Sequence, residues 1–133
     1  MTKFLLDTNI CIYFLKGKYN LITKIEDIGE KNCFISEITV AELKYGAEKS
    51  EKIIENTKMV DLFISKFTII PIYTSLNLYA KEKAKLSKAG TIIDDFDLLI
   101  ASTAISNNLI LVTNNVKHFS RLKKLSINNW TND

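Results

Sequence analysis

The sequence predicts an α/β sandwich with a mainly parallel central sheet. Three observations carry this expectation. Short apolar runs (KFLL, CFI, FTIIPI, LILVT) are too brief for helices and are bounded by polar or turn residues. Between them lie longer stretches whose apolar residues recur at helical spacing. The two kinds alternate without a linker, repeat or low-complexity segment, so a single domain over residues 1–133 is expected.

Lys3–Leu6 reads as the first strand, followed by a helix over about Thr8–Leu15 that Gly17 terminates. Leu21–Ile28 carries apolar residues at 21, 22, 25 and 28, a helical spacing. Cys33–Ile35 is the second strand. A helix is expected from about Ile38 to Lys49, with Val40, Leu43 and Ala47 on one face. Another covers about Glu51–Ser65, with Ile53, Ile54, Met59, Val60, Phe63 and Ile64 as apolar positions. Phe67–Ile72 is the third strand, and Pro71 places it at a sheet edge or marks its end. Leu76–Ala89 is a lysine-rich helix closed by Gly90, and Asp94–Asn107 is the next helix. Leu109–Thr113 is an apolar strand, and a short strand near Leu125–Ile127 precedes Trp130.

Composition narrows the class. The apolar fraction of 47% and charged fraction of 25% are those of a globular chain. No apolar run approaches the roughly 20 residues of a membrane span, and the N-terminus lacks the pattern of a signal peptide. A soluble protein is expected. Cys11 and Cys33 sit among apolar neighbours and read as reduced core residues, so the expected compartment is the cytoplasm. With His118 as the one histidine and no Cys-x-x-Cys, a structural zinc site is not expected. The net charge of +3, almost all from lysine with Arg121 the only arginine, is compatible with a polyanionic substrate but does not demand one.

In an open parallel sheet, ligands bind at the carboxyl ends of the strands. Asp7 follows the first strand, Glu42 lies one turn into the helix after the second, and Asn114 and Asn115 follow LILVT. Asp97 joins them from the helix that leads into that strand. Each has a plain structural reading too. Asp7 and Asp94 fit helix N-caps, Glu42 fits a capping box with Thr39, and Asn115 fits a turn. Taken together they point further. Asp97 shares a helix side with Ile100, Ala101 and Ala104, and Glu42 with Ile38, Tyr45 and Gly46. Half-buried carboxylates that converge repel one another unless a cation joins them. Oxygen-only donors suit Mg2+ or Mn2+ rather than zinc, and such a centre activates water against a phosphodiester. No Ser, Cys or His nucleophile arrangement competes, and there is no phosphate-cradling Gly-rich loop. His118 reads as an inert surface residue. A phosphatase with Asp-x-Asp after its first strand is the enzymatic alternative, but Asn9 stands at its third position.

LLDTNI, TVAELKYG, GTIIDDFDLLIASTA and LVTNNVKHF, in that order, resemble the PIN-domain ribonucleases, and within them the toxins of VapBC toxin–antitoxin pairs. The similarity runs from FLLDTNICIYFLKG to the terminal NNW. It implies a single PIN-like three-layer α/β/α domain and an Mg2+-dependent endoribonuclease, with tRNA as one possible substrate. Position by position, Asp7, Glu42 and Asp97 match the family's metal-binding acids. Asn115 stands where many relatives hold aspartate, which puts a second metal in doubt. Thr8, Asn9 and Thr113 match supporting residues, and Asp94 is an additional acid with no firm counterpart. The resemblance also implies a VapB-type antitoxin that blocks the pocket, a homodimer, and contact with promoter DNA only through the antitoxin complex. A non-catalytic PIN-like module that binds RNA or protein stays open as the alternative.

Lys81, Lys83, Lys85 and Lys88 crowd one helix and read either as a solvated face or as a rim that attracts RNA phosphates; Lys81, Lys85 and Lys88 are the RNA-binding candidates. Lys44, Lys49 and Lys52 invite the same two readings, and Asp95 reads as solvated. Ile53, Ile54, Met59 and Phe63, with Tyr13 and Phe14, read either as core or as part of a dimer or antitoxin groove.

Overall fold

In the computed structural model, which describes residues 2–132, strand β1 (Phe4–Leu6) is buried on both faces. Met1 and Asp133, the two ends of the expected 1–133 domain, lie outside the described residues. Side chains alternate along a strand, so Phe4 and Leu6 enter one core and Leu5 the other. The same division holds in β2 (Cys33–Ser36), where Cys33 and Ile35 face one side and Phe34 the other. It holds again in β4 (Ile110–Val112), with Ile110 and Val112 against Leu111. Strands that are apolar on both faces need helices on both, which gives three layers.

The sheet has five strands in the order β3-β2-β1-β4-β5, and every pairing is parallel. Phe4 is in register with Cys33 on one side and Ile110 on the other. The edges are β3 (Thr68–Ile70) and β5 (Ile127–Asn128). Pro71 directly follows β3, so its missing N–H falls both at an edge and at a strand end. Helices α1 (Thr8–Leu15), α2 (Leu21–Ile28), α3 (Glu37–Glu48) and α4 (Ile53–Ile64) close one core around Ile10, Cys11, Ile25, Leu43 and Phe63. Helices α5 (Leu76–Lys88), α6 (Asp95–Ser106) and α7 (Val116–Phe119) cover the other, which holds Leu98, Ile100, Ala104 and Phe119. Gly17 (φ 69°) and Gly90 (φ 71°) follow α1 and α5 in the left-handed conformation, where a side chain would strain the turn.

The element order agrees with the sequence expectation, with two local differences. The one-turn helix α7 was not expected, because its four residues are too few to show periodicity. The last strand is displaced to Ile127–Asn128, since Leu125 instead closes a turn on Leu122. Of the residues open between core and groove, Phe63 is core, and Phe14 packs on it with ring centroids 5.1 Å apart. Ile53, Ile54 and Met59 remain exposed. Cys11 and Cys33 are free and buried. Among the described residues no helix is long and apolar enough to cross a membrane.

Chain connections leave β1 in one direction toward β2 and β3, then return to place β4 on its other side. The β1–β4 boundary is therefore the point where the strand order reverses, and a crevice opens there at the carboxyl ends of the strands.

Candidate active site

Asp7 occupies that crevice. Its N–H donates to the Val112 carbonyl (2.9 Å), extending the sheet by one rung, and the chain then turns into α1. Its carboxylate caps the helix, Oδ1 accepting the Thr8 N–H (2.9 Å), while Oδ2 accepts the Thr113 hydroxyl (2.8 Å). Cap and candidate ligand are the same group, so the two readings of Asp7 do not compete. The residue is only 4% exposed. Burial pushes its carboxyl up to about 6; the Thr113 and Thr8 hydrogen bonds oppose the rise, and the charges of Asp97 and Glu42 add to it.

Helix α3 begins earlier than its apolar pattern suggests. Ser36 is its N-cap and accepts the Thr39 N–H (3.1 Å). The Thr39–Glu42 capping box is therefore not formed, and Glu42 is released toward the crevice. There its Oε1 accepts the Thr8 hydroxyl at 2.7 Å. Thr8 has one hydroxyl proton and gives it to Glu42, so the Thr39 hydroxyl, 3.0 Å away, must donate to Thr8. Thr8 and Thr39 are buried, and their hydroxyl chain ends on a carboxylate. It holds Glu42 in one orientation.

Asp97 enters from the first turn of α6, whose N-cap Asp94 accepts the Phe96 N–H (3.2 Å). Ile100, Ala101 and Ala104 on the same side are fully buried, as their shared spacing with Asp97 predicts. Burial raises the Asp97 carboxyl, His118 opposes that rise, and Asp94 reinforces it. His118 is thus not the inert surface residue expected from sequence. Its Nε2 stands 3.3 Å from Asp97 Oδ2, an ion-pair distance when the ring is protonated, though the two atoms are not aligned as a hydrogen bond. The ring packs edge-on against Phe119. Val116 and Phe119, three residues apart in NNVKHF, are the one sequence signal for the helical turn that aims it.

Asp7, Thr8, Asn9, Glu42, Asp94 and Asp97 line one cavity of about 730 Å³ at this end of the sheet, with Tyr45, Lys49 and Phe96 beside them. Asn115 does not line it. Its backbone N–H donates to Thr113 Oγ1 (3.0 Å), so what it supplies is orientation of the threonine that holds Asp7. Asn114 turns away to donate to the Tyr13 hydroxyl (3.0 Å). Lys81, Lys85 and Lys88 are exposed on α5 and do not line the cavity, and Lys85 pairs with Glu82 at 3.5 Å. Asp95 is not simply solvated: it accepts from Lys83 Nζ and the Tyr79 hydroxyl, each at 2.8 Å, and these bonds lower its pKa. A second, apolar groove of about 410 Å³ between α1, α3 and α4 shares Ile12, Glu42, Gly46 and Lys49 with the cavity.

No group of three or more His, Cys, Asp or Glu among the described residues is placed so that it could hold a metal ion as the side chains stand. The donor chemistry nevertheless fits a hard divalent cation. The donors are oxygen, they come from three elements, and two of them raise the pKa of the third by mutual repulsion.

The PIN-domain sequence pattern matches residues 4–125 of the chain. The chain belongs to the PIN-domain family. This PIN domain is 41% identical over 130 residues to Ribonuclease VapC2 of Rickettsia felis, with 96% of this chain and 97% of that protein covered. It is 37% identical over 131 residues to the tRNA(fMet)-specific endonuclease VapC of Salmonella typhimurium, covering 98% and 99%. Its fold superposes with a TM-score of 0.88 on the crystal structure of VapBC2 from Rickettsia felis bound to a DNA fragment from its promoter, at 39% identity and 97% and 99% coverage. The PIN-domain resemblance of the sequence motifs and the three-layer fold are both borne out.

Proposed function

We propose that this PIN domain is the endoribonuclease toxin of a type II toxin–antitoxin pair, cutting phosphodiester bonds of RNA in the cytoplasm with a divalent cation held by Asp7, Glu42 and Asp97. The observation that carries the reading is the convergence of these three carboxylates, from the β1–α1 junction, α3 and α6, on one cavity at the sheet's reversal point. Membership among VapC ribonucleases supports the reaction class.

Mg2+ is the preferred cation and Mn2+ a substitute, on donor chemistry. Bound there, it supplies Lewis-acid activation of water and positive charge against the phosphate. Thr113 and the Thr8 N–H fix the two Asp7 oxygens, and the Thr39–Thr8 hydroxyl chain fixes Glu42. Asp94 keeps the first turn of α6 wound so that Asp97 stays on the cavity, and His118 stands where it balances the Asp97 charge whenever its ring is protonated. Asn115 lies off the cavity and adds no charge to it, which leaves three carboxylates and favours a single tightly held cation. The partners are a VapB-type antitoxin, a second copy of the chain, and promoter DNA reached only through the antitoxin complex. A tRNA is the proposed substrate on the strength of the Salmonella relative's name.

Induction of the chain followed by mapping of new RNA 5′ ends tests this. Ends should appear with wild type and be absent with Asp97→Asn, and EDTA should stop cleavage by the purified protein. Cleavage that survives both EDTA and Asp7→Ala would overturn the reading.

A further inference from the structure

Charge is spread unevenly along the chain. Through Asp97 it carries fourteen acidic and fourteen basic residues. From Leu98 to Asn132 it carries Lys117, Arg121, Lys123 and Lys124 and not one acid, so the net positive charge resides in this last quarter. All four side chains are exposed, and none forms an ion pair with a carboxylate among the described residues. The lysines of α5 differ, since Lys83 and Lys85 are paired with Asp95 and Glu82.

The fold lays these cations out as a tract that starts beside the cavity. Phe119 and Leu122 are buried and Leu125 packs on the same core, which turns the basic residues between them to solvent. At one end His118 stands 3.3 Å from Asp97, a cavity carboxylate. There Arg121 Nη1 also donates to the Ile92 carbonyl (2.9 Å), in the loop that leads to Asp94. At the other end Lys124 and Ser126 line a hollow with Asn108, Leu109 and Ile110, at the amino end of β4. Leu109 to Thr113 spans about 13 Å of extended chain. The tract thus runs the height of the sheet along the edge that β5 forms.

We propose that Lys117, Lys123 and Lys124, with Arg121, form a phosphate-binding tract that carries the RNA backbone away from the cavity, so that the protein holds its substrate by a stretch beyond the bond it cuts. The inference rests on the ribonuclease reading above and adds where the body of that RNA lies. An acidic cavity repels a polyanion. A row of cations free of acids supplies the opposing attraction, because each phosphate it meets releases condensed counterions. Phosphate contacts fix register and orientation and carry no base information, so the tract places the RNA without choosing its sequence. It lies on the side of the sheet that α5, α6 and α7 cover, away from the apolar groove between α1, α3 and α4.

Full-length protein carrying Asp7→Asn, to suppress cutting, is titrated by fluorescence anisotropy with a labelled RNA that extends well beyond the cut bond on both sides, over a series of salt concentrations. Adding Lys117→Gln, Lys123→Gln and Lys124→Gln together should weaken binding about tenfold at low salt. The slope of log affinity against log salt should become shallower by about 2, the counterion release of three phosphate contacts. Arginine at the same three positions should keep the original affinity and slope. In protein that cuts, the long RNA should be favoured through KM over a short one that covers only the cut bond, and the glutamine variant should lose that advantage. An unchanged slope, or a preference for the long RNA that persists in the glutamine variant, overturns the proposal. So does an equal loss with arginine, or duplex DNA held through the same lysines more tightly than RNA. A slope that depends on the lysines in a protein that never cuts RNA would leave this inference standing and remove the nuclease reading. Metal-dependent cutting with a slope indifferent to the lysines would do the reverse.

Discussion

A carboxylate that is 4% exposed and flanked by two others is held where its charge is least welcome, and the fold bears the cost. Because the Asp7 pKa is raised to about 6 in the folded chain from 3.8, its ionisation opposes folding. The stability it permits is complete below pH 4 and is lost as pH rises through 6. The raised value corresponds to about 3 kcal/mol at most above pH 7. In chelator-treated protein, Asp7→Asn should therefore raise stability against urea at pH 7.5 by about 1–3 kcal/mol, and the gain should shrink toward zero at pH 4. A gain that is equal at both pH values would refute the electrostatic origin. Adding Mg2+ should stabilise wild type and leave Asp7→Asn unmoved. Thr8 acts on the neighbouring acid. Thr8→Val keeps the shape but removes the 2.7 Å bond that orients Glu42. Supporting partners of metal ligands are worth about 10–100-fold in affinity or activity. Calorimetric titration with Mn2+ should show weaker binding of that order and cleavage reduced in step, while a wild-type isotherm would show that Glu42 needs no support.

At the scale of the element, legibility followed length and charge. FLLD could be read outright, because an apolar run ending in a carboxylate is both a buried strand and a helix start. DFDLLIASTA placed Asp97 correctly, since its three buried neighbours at helical spacing fix the face. Glu42 was found for the right helix, and of its two readings only the capping box with Thr39 is overturned. SEITVAEL offers both Ser36 and Thr39 as N-cap residues, Thr39 with the T-x-x-E box, and only the packed fold reveals that Ser36 takes the role. His118 was misjudged because α7 is a single turn, whose only sequence signal is the pair Val116 and Phe119. The lysines of α5 show a different limit: spacing put them on one helix, but not which way that helix faces. They lie off the cavity, so any pull on RNA is a long-range field rather than a contact. Lys85→Glu with Lys88→Glu should weaken RNA binding several-fold at low salt and flatten its dependence on salt concentration, with kcat unchanged. Binding curves identical to wild type across salt would reduce that face to solvation.

At the scale of the molecule, the acidic cavity at the reversal of strand order and an apolar groove lie next to each other. The crevice between β1 and β4 holds the acids, and the apolar groove between α1, α3 and α4 opens into it through Ile12, Glu42, Gly46 and Lys49. A protein segment lying in that groove would reach the cavity without disturbing the sheet, since the groove wall is helix surface of α1, α3 and α4, with Leu43, Ala47 and Val60 of the first core among its lining. Helix-lined apolar grooves are suited to an amphipathic partner segment, and a VapB-type antitoxin seated there would occlude Glu42 directly. Met59, half exposed on the groove wall, contributes to neither core cluster. A charge there should cost the partner its apolar seat while leaving the carboxylates where they are. Met59→Lys is therefore expected to weaken antitoxin binding by about 10–100-fold, the range of a central interface residue. RNA cleavage by the free protein should stay within about twofold of wild type and the unfolding temperature should not fall. Co-purification with the antitoxin followed by competition calorimetry measures the first effect, and cleavage rates with and without antitoxin measure the second. Full neutralisation of Met59→Lys by stoichiometric antitoxin, with unchanged affinity, would move the partner's seat elsewhere on the surface.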